Sequence, residues 1–390
     1  MHRRLLLPVY MPSFAMSLCQ GSALLIIPLF ALDLGAAASA AAIVFAMRGL
    51  GNMMMDVPAG YSVARFGDRT TMLGGIALLA ITATGASLAN SPLQLAAAAL
   101  GLGAAISTWQ LARLAHVTEA VIQDQRGRAI STMAGLQRLG TLIGPVASGI
   151  VADQLGFSAV FIGVAVIAII AAVVVVLQVQ PGPRQHAVGE HPPLLTMVPR
   201  ILKSHAGVFG TIGVAMLLLT TIRSGRQLLI PLWGDHIGLS ATGIGLVVGA
   251  AAAVDVAMFP VAGYLLDFAG RVRTALICIF TMALGLLAVP LTASAITLAA
   301  VAAFIGLGNG IGSGINQTLA SDLAPKSERG EFLGVWRLIG DTGSLAGPLG
   351  ISFVTATMTL AATFNILFGV GVAASVLLFV SRARTRCTPP

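Results

Sequence analysis

The segment VFIGVAVIAIIAAVVVVLQV, residues Val160–Val179, decides the fold class. It contains no charge and a single amide, Gln178. A helix needs about 20 predominantly apolar residues, each rising 1.5 Å, to cross the hydrocarbon core of a bilayer. Strands of a closed transmembrane barrel alternate apolar and polar residues over about ten positions, and this run does not alternate. Burial inside a soluble protein is no alternative, because the rest of the chain cannot cover it. Of 390 residues, 57% are hydrophobic and 9% charged, with a mean hydropathy of +0.93. Soluble domains carry about 25% charged residues. The class that remains is an all-α membrane protein.

Working outward, apolar windows place spans near 5–31, 40–62, 71–89, 93–116, 130–152 and 157–179. After a break they continue at 207–233, 242–264, 273–291, 296–319, 333–355 and 359–381. Twelve transmembrane helices are therefore expected. The first is too long for the apolar part of a secretory signal, although Arg3-Arg4 precedes it and small residues follow. Of the 22 Lys and Arg residues, 16 fall at the termini or in even-numbered loops, among them Arg3, Arg4, Arg65, Arg69, Arg184, Lys326 and Arg386. The opposite loops hold acids and one histidine (Asp33, Asp153, Asp235, His236) and no Lys or Arg. The positive-inside rule then puts both termini in the cytoplasm, and in a bacterial cell the protein in the cytoplasmic (inner) membrane. The same asymmetry accounts for a pI of 10.4 without a nucleic-acid partner. Cys19, Cys278 and Cys387 are scattered, so neither a disulfide nor a metal cluster is indicated.

The chain repeats itself. An offset of 203 residues superposes Pro28 on Pro231, Gly35 on Gly238, Gly60-Tyr61 on Gly263-Tyr264 and Gly67 on Gly270. It also superposes Gly103 on Gly306, Arg126-Gly127 on Arg329-Gly330, and Gly140 with Gly144-Pro145 on Gly343 with Gly347-Pro348. A shift of six helices preserves orientation, so the halves are parallel repeats. The expected organisation is two pseudo-symmetric six-helix bundles, 1–180 and 207–390, joined by a cytoplasmic linker at 181–206.

These motifs resemble the major facilitator superfamily over nearly the whole chain. The loop after helix 2 reads Gly60-Tyr-Ser-Val-Ala64-Arg65-Phe-Gly67-Asp68-Arg69 and is similar to the family's signature loop. Its repeat is Gly263-Tyr-Leu-Leu-Asp267-Phe-Ala-Gly270-Arg271-Val-Arg273. Ala64 stands where the family usually has an acid, and Phe268 where arginine is common. Helix 5 carries Gly140-x3-Gly144-Pro145-x2-Ser148-Gly149, similar to the motif of the drug:proton antiporter branch, and helix 11 carries Gly343-x3-Gly347-Pro348. Glycines four apart let another backbone approach closely, and the proline removes a backbone hydrogen bond. The arginine usual in the middle of helix 4 is replaced by Ala97–Ala99.

Ionisable residues at bilayer depth cost at least about 2.5 kcal/mol each and usually serve function. Here they are Arg48, Asp56, Arg113, Arg138, Arg223, Arg226, Asp255, Arg337 and Asp341. The resemblance brings helices 5 and 8 together, which pairs Arg138 with Asp255. The repeat then brings Asn52 towards Asp341, and depth matches Asp56 with Arg337 as a gate. The proton-coupling or gating set is thus Asp56, Asp255, Asp341, Arg138 and Arg337, and purely structural ion pairing is the other reading. By resemblance, helices 1, 4, 7 and 10 line the cavity and offer Gln20, Trp109, Arg113, Arg223, Arg226, Asn309, Asn316 and Gln317 as substrate-binding residues.

The expected function is a proton-coupled secondary transporter working by alternating access, with efflux of small organic molecules the preferred direction. Its partners are a small-molecule substrate, protons and the bilayer, it is expected to be a monomer, and no cofactor or metal is expected. Because arginine suits carboxylate and phosphate, an organic-anion or phosphorylated-metabolite carrier is the alternative. A non-transporting receptor is the alternative of another class. No G-x-x-x-x-G-K-[ST] loop is present to bind nucleotide, and the scattered histidines form no catalytic pattern, so an enzyme is not expected.

Overall fold

The computed structural model describes residues 6–120, 123–180, 194–325 and 328–385. Arg3, Arg4, Arg184, Lys326, Arg386 and Cys387 lie outside the described residues, as does the linker up to residue 193.

All regular structure among the described residues is helical. After a π-turn at Leu6–Tyr10 come α1 (Met11–Asp33), α2 (Ala38–Phe66), α3 (Asp68–Ser87), α4 (Pro92–Ala120), α5 (Gln123–Leu155) and α6 (Phe157–Gln178). Then follow α7 (Leu194–Ser204), α8 (Val214–His236), α9 (Ala241–Ala257), α10 (Phe259–Phe268) and α11 (Arg271–Ala288). The chain ends with α12 (Ala295–Ile311), α13 (Ile315–Leu323), α14 (Arg329–Thr357) and α15 (Leu360–Thr385). Among the described residues nine helical spans are long and apolar enough to cross a membrane, or ten if the bent pair α9–α10 is one span. The helices α5 and α14 are 33 and 29 residues long but too polar to be counted with them.

Three elements differ from the sequence expectation. The span at 242–264 is broken: α9 and α10 meet at a 43° bend. Pro260 is the second residue of α10; it has no N–H to give the preceding turn, and its ring crowds the carbonyl four residues back. The span at 296–319 is also broken, between Ile311 and Ile315, where Gly314 takes φ +80°. That backbone conformation suits glycine because a Cβ would clash there. Finally, the expected linker contains the helix α7. Its Ile201 is buried while Arg200 pairs with Glu331 at the start of α14, so α7 is an amphipathic helix laid on α14.

The helices form two compact units. One contains α1–α6 together with Gly238–Gly249; the other contains α7, α8, the remainder of α9 and α10–α15. In the first, α1 packs on α5, α2 on α4, and α3 on both α4 and α6. Trp109, Phe45, Phe161, Leu25 and Ile76 fill it. In the second, α8 packs on α14 and α15, and α11 on α12 and α15, around Phe332, Phe364 and Leu228. The outer side of α6 exposes Ile162, Val166, Ile169 and Val173, an apolar strip suited to lipid.

The repeat read in the sequence reappears in the packing, contact by contact. A Cβ on Gly103 would overlap the carbonyl of Arg48, and one on Gly306 the carbonyl of Ala251. Gly140 and Gly144 lie against the carbonyls of Phe14 and Leu18; Gly343 and Gly347 lie against those of Leu217 and Thr221. Each partner is displaced by the same 203 residues as its glycine. Small residues here let helix backbones touch, as membrane packing without a hydrophobic driving force requires.

Candidate functional site

In the first unit, polar side chains from four helices face one another. On α2, Asp56 accepts a hydrogen bond from Ser107 Oγ of α4 at 2.5 Å. One turn further along α4, Gln110 donates to Gln20 of α1 at 3.2 Å. Arg113 follows three residues later on the same face of the helix. It is 4% exposed, and its terminal nitrogens reach the Gln137 side-chain oxygen of α5 at 3.0 and 3.1 Å. Trp109 is buried, and among the described residues its indole N–H has no acceptor. Arg48 is buried over the ring of Phe45, 5.4 Å from its centroid. Arg138, next to Gln137, is half-buried.

The glycine motif of α5 serves two neighbours. Gly140 and Gly144 accept α1, and Ser22 Oγ donates to the Gly144 carbonyl at 3.2 Å. On its other side, the Pro145 carbonyl meets Gly245 of α9, and Gly149 meets Ala241. At the end of α5, Asp153 accepts from the amides of Ala241 and Thr242 at 3.0 and 2.8 Å, which caps α9. Burial pushes this carboxyl upward, but the hydrogen bonds from Thr242, Ser240 and Ala241 outweigh it and hold Asp153 below the usual aspartate range.

The signature loop is built around Gly67, whose φ of 85° turns the chain from α2 into α3. Arg65 donates to the Tyr61 hydroxyl at 2.8 Å, and Arg69 to the Val176 carbonyl at 2.7 Å. Asp68 meets His116 of α4 at 2.5 Å. In the repeat, Gly270 has φ 83° and Arg271 pairs with Asp322 at 2.9 Å, while Asp267 and Gly263 are exposed.

In the second unit the charges gather around Asp255 of α9. Asn309 of α12 donates to its carboxylate at 2.6 Å, and Arg226 of α8 stands at 3.7 Å. Arg223, one turn before Arg226, donates to the Gly312 carbonyl at 2.9 Å and reaches the Cys278 sulfur at 3.9 Å. It therefore sits on the last carbonyls of α12, where the break in that helix exposes them. Asn316 accepts from the Trp336 indole at 2.7 Å, Gln317 is exposed, and Arg337 lies 3.8 Å from Asp341 one turn along α14.

Sequence reasoning named most of these residues but not their partners. It did not join Arg226 to Asp255 or Cys278 to Arg223, and it missed Ser107, Gln110 and Gln137 altogether. A serine, a cysteine or a glutamine in a helix looks the same whether it faces a charge or a methyl group. Only intramembrane charge marks a position in the sequence, and neutral partners carry no such mark.

The fold is shared with known transporters. At 13% identity the nucleoside transporter NupG superposes with a TM-score of 0.80, covering 97% of this chain and 99% of that one. A POT family transporter in complex with a thioalcohol-conjugated peptide superposes at 0.82, with 14% identity over 98% of this chain and 96% of that one. A D-xylose-proton symporter gives 0.73 at 16% identity, covering 95% and 96%. In sequence, the MFS-type transporter ppzB of Metarhizium rileyi (strain RCEF 4871) is 29% identical over 110 residues, 28% of this chain and 23% of that protein. The family model of the Major Facilitator Superfamily matches residues 10–233 and again 212–389. Both halves thus fit one model, and with helices long and apolar enough to cross a membrane the chain is an integral membrane protein that belongs to the Major Facilitator Superfamily.

Proposed function

We propose that this protein is a proton-coupled secondary transporter that exports small organic molecules by alternating access through twelve membrane spans. The two polar helices α5 and α14 complete that number. The observation that carries the proton coupling is the cluster of Asp255, Asn309 and Arg226. A carboxylate at this depth faces a cation and an amide, and both contacts change when it takes a proton. Protonation then frees Arg226 and α12 from α9, which links proton binding to movement within the second unit. Asp341, beside Arg337, is a second carboxylate able to take part. Export is favoured by the resemblance of the glycine–proline segment of α5, Gly140, Gly144 and Pro145, to the motif of the drug:proton antiporter branch. Both termini are cytoplasmic on the charge asymmetry of the loops, and the working unit is the monomer.

Proteoliposomes with a pH-sensitive dye inside provide the test. Substrate addition is expected to move protons through the wild type and not through Asp255→Asn. Undiminished proton movement in that variant, and likewise in Asp341→Asn, would remove the basis of the coupling. Substrate flux indifferent to an imposed pH gradient would do the same.

A further inference from the structure

Resting on the transport reading above, we propose that the first unit holds a binding subsite for the anionic group of the substrate, with Arg113 as its cation, and that the transported molecules are organic acids.

The argument begins from charge balance. The half-buried Arg226 has a carboxylate partner, Asp255. Among the described residues Arg48 and Arg113, both buried, and the half-buried Arg223 contact neutral groups. Arg48 lies over the Phe45 ring, Arg113 on the Gln137 amide, and Arg223 on the Gly312 carbonyl and the Cys278 thiol. A buried guanidinium balanced by neutral dipoles leaves a positive potential in the space around it. That potential disfavours a lipophilic cation and favours an acid.

Arg113 is where this excess becomes a site. Its side chain is almost fully buried, yet among the described residues Nε has no acceptor. The Trp109 indole N–H, one turn away, is also buried and has no acceptor among the described residues. Gln137 and Gln110 bring further amide N–H donors from α5 and α4, and Gln20 borders them from α1. Two buried donors, Arg113 Nε and the Trp109 indole N–H, thus lack acceptors among the described residues. A carboxylate supplies the acceptors that are missing and matches the planar fork of the guanidinium with two parallel hydrogen bonds. In the structure the Gln137 oxygen occupies that fork as a neutral stand-in, which a carboxylate would displace. A purely structural tie between α4 and α5 would need Arg113 for stability but would not tell an acid from its amide.

The test uses the purified full-length protein in detergent and follows thermal unfolding and tryptophan fluorescence. The probes are matched pairs: benzoate and benzamide, 3-phenylpropionate and its amide, succinate and succinamide, with phenethylamine as the cation. At least one acid is expected to raise Tm and change the fluorescence, and its amide to do neither. Acid affinity should fall at least tenfold in Arg113→Gln and stay unchanged in Arg273→Gln, which removes an exposed charge. Arg113→Lys keeps the charge in case the glutamine variant does not fold; it should bind the acid several-fold more weakly and still reject the amide. The proposal is overturned if no acid binds, if amide or amine binds as well as the acid, or if the Arg113 variants bind acids like the wild type. Acid-selective binding without proton flux would sink the coupling and leave this site standing. Amine-driven proton flux without acid binding would do the reverse.

Discussion

Asp68 and His116 meet at 2.5 Å and tie the first residue of α3 to the last turns of α4. The second unit makes a comparable tie at the same loop, with the acid on the other helix. Arg271, 203 residues beyond Asp68, opens α11 and pairs with Asp322 of α13 at 2.9 Å. The two ties differ in burial. The side chains of His116 and Asp68 are 12% and 4% exposed, those of Arg271 and Asp322 42% and 47%. Conformationally the loops are alike, but only the first tie is shielded from water.

That difference gives opposite outcomes for the same kind of substitution. His116→Ala strands a buried carboxylate and should lower stability by about 1–3 kcal/mol. Arg271→Ala removes an exposed ion pair and should cost about 0–1 kcal/mol. Thermal unfolding of the two variants in the same detergent measures both. Adding Asp68→Asn to His116→Ala should recover part of the loss, because the stranded charge is then gone.

Removing one member of the Arg226–Asp255 pair should be worse than removing both. Asp255→Leu leaves Arg226 buried with its charge unopposed, a loss of about 3–5 kcal/mol. Asp255→Leu combined with Arg226→Leu is expected to be more stable than the single variant. A double variant as unstable as the sum of its parts would show that the two side chains do not compensate each other.

Glycine substitutions should sort by what a Cβ would meet. Gly103→Ala and Gly306→Ala each drive a methyl group into a backbone carbonyl of the neighbouring helix, so both should fold poorly and give little monodisperse protein on size exclusion. Gly135→Ala on α5 meets nothing within 4 Å. There the usual helix preference for alanine should apply, a gain of about 0.5–1 kcal/mol.

Asp153 gives a pH dependence of known sign. Its carboxyl is held below the usual aspartate range by the amides it accepts from α9. A depressed folded pKa means that the contribution is complete above the unfolded value, about 3.9, and disappears as pH falls through the folded value. The protection of the Ala241 and Thr242 amides, measured against the intrinsic exchange rate at each pH, should therefore be high at neutral pH and fall in acid below that point. In Asp153→Ala the protection should be weak at every pH. The side chain is largely exposed, so screening limits its effect on stability to a fraction of a full cap, about 0.5 kcal/mol.

The sequence by itself determined the all-helical membrane class, the duplication and the glycines on which each half is packed. Those properties are periodic or compositional, and bilayer thickness and backbone hydrogen bonding leave one way to satisfy them. The glycines four apart in helices 5 and 11 marked where another backbone could approach, and Gly140, Gly144, Gly343 and Gly347 do lie against backbone atoms of a neighbouring helix. Tertiary structure alone decided who neutralises whom. The sequence placed Arg113, Arg226 and Asp255 at bilayer depth. It could not show that Arg226 faces Asp255 while Arg113 faces Gln137, because side-chain direction around a helix and the meeting of distant helices are set by packing, not by local composition. The breaks at Met258 and at Gly312–Gly314 belong to the same class. Proline and glycine permitted them, but similar residues elsewhere, such as Pro145 inside α5, leave their helix continuous, and the neighbouring helices settle which outcome is reached.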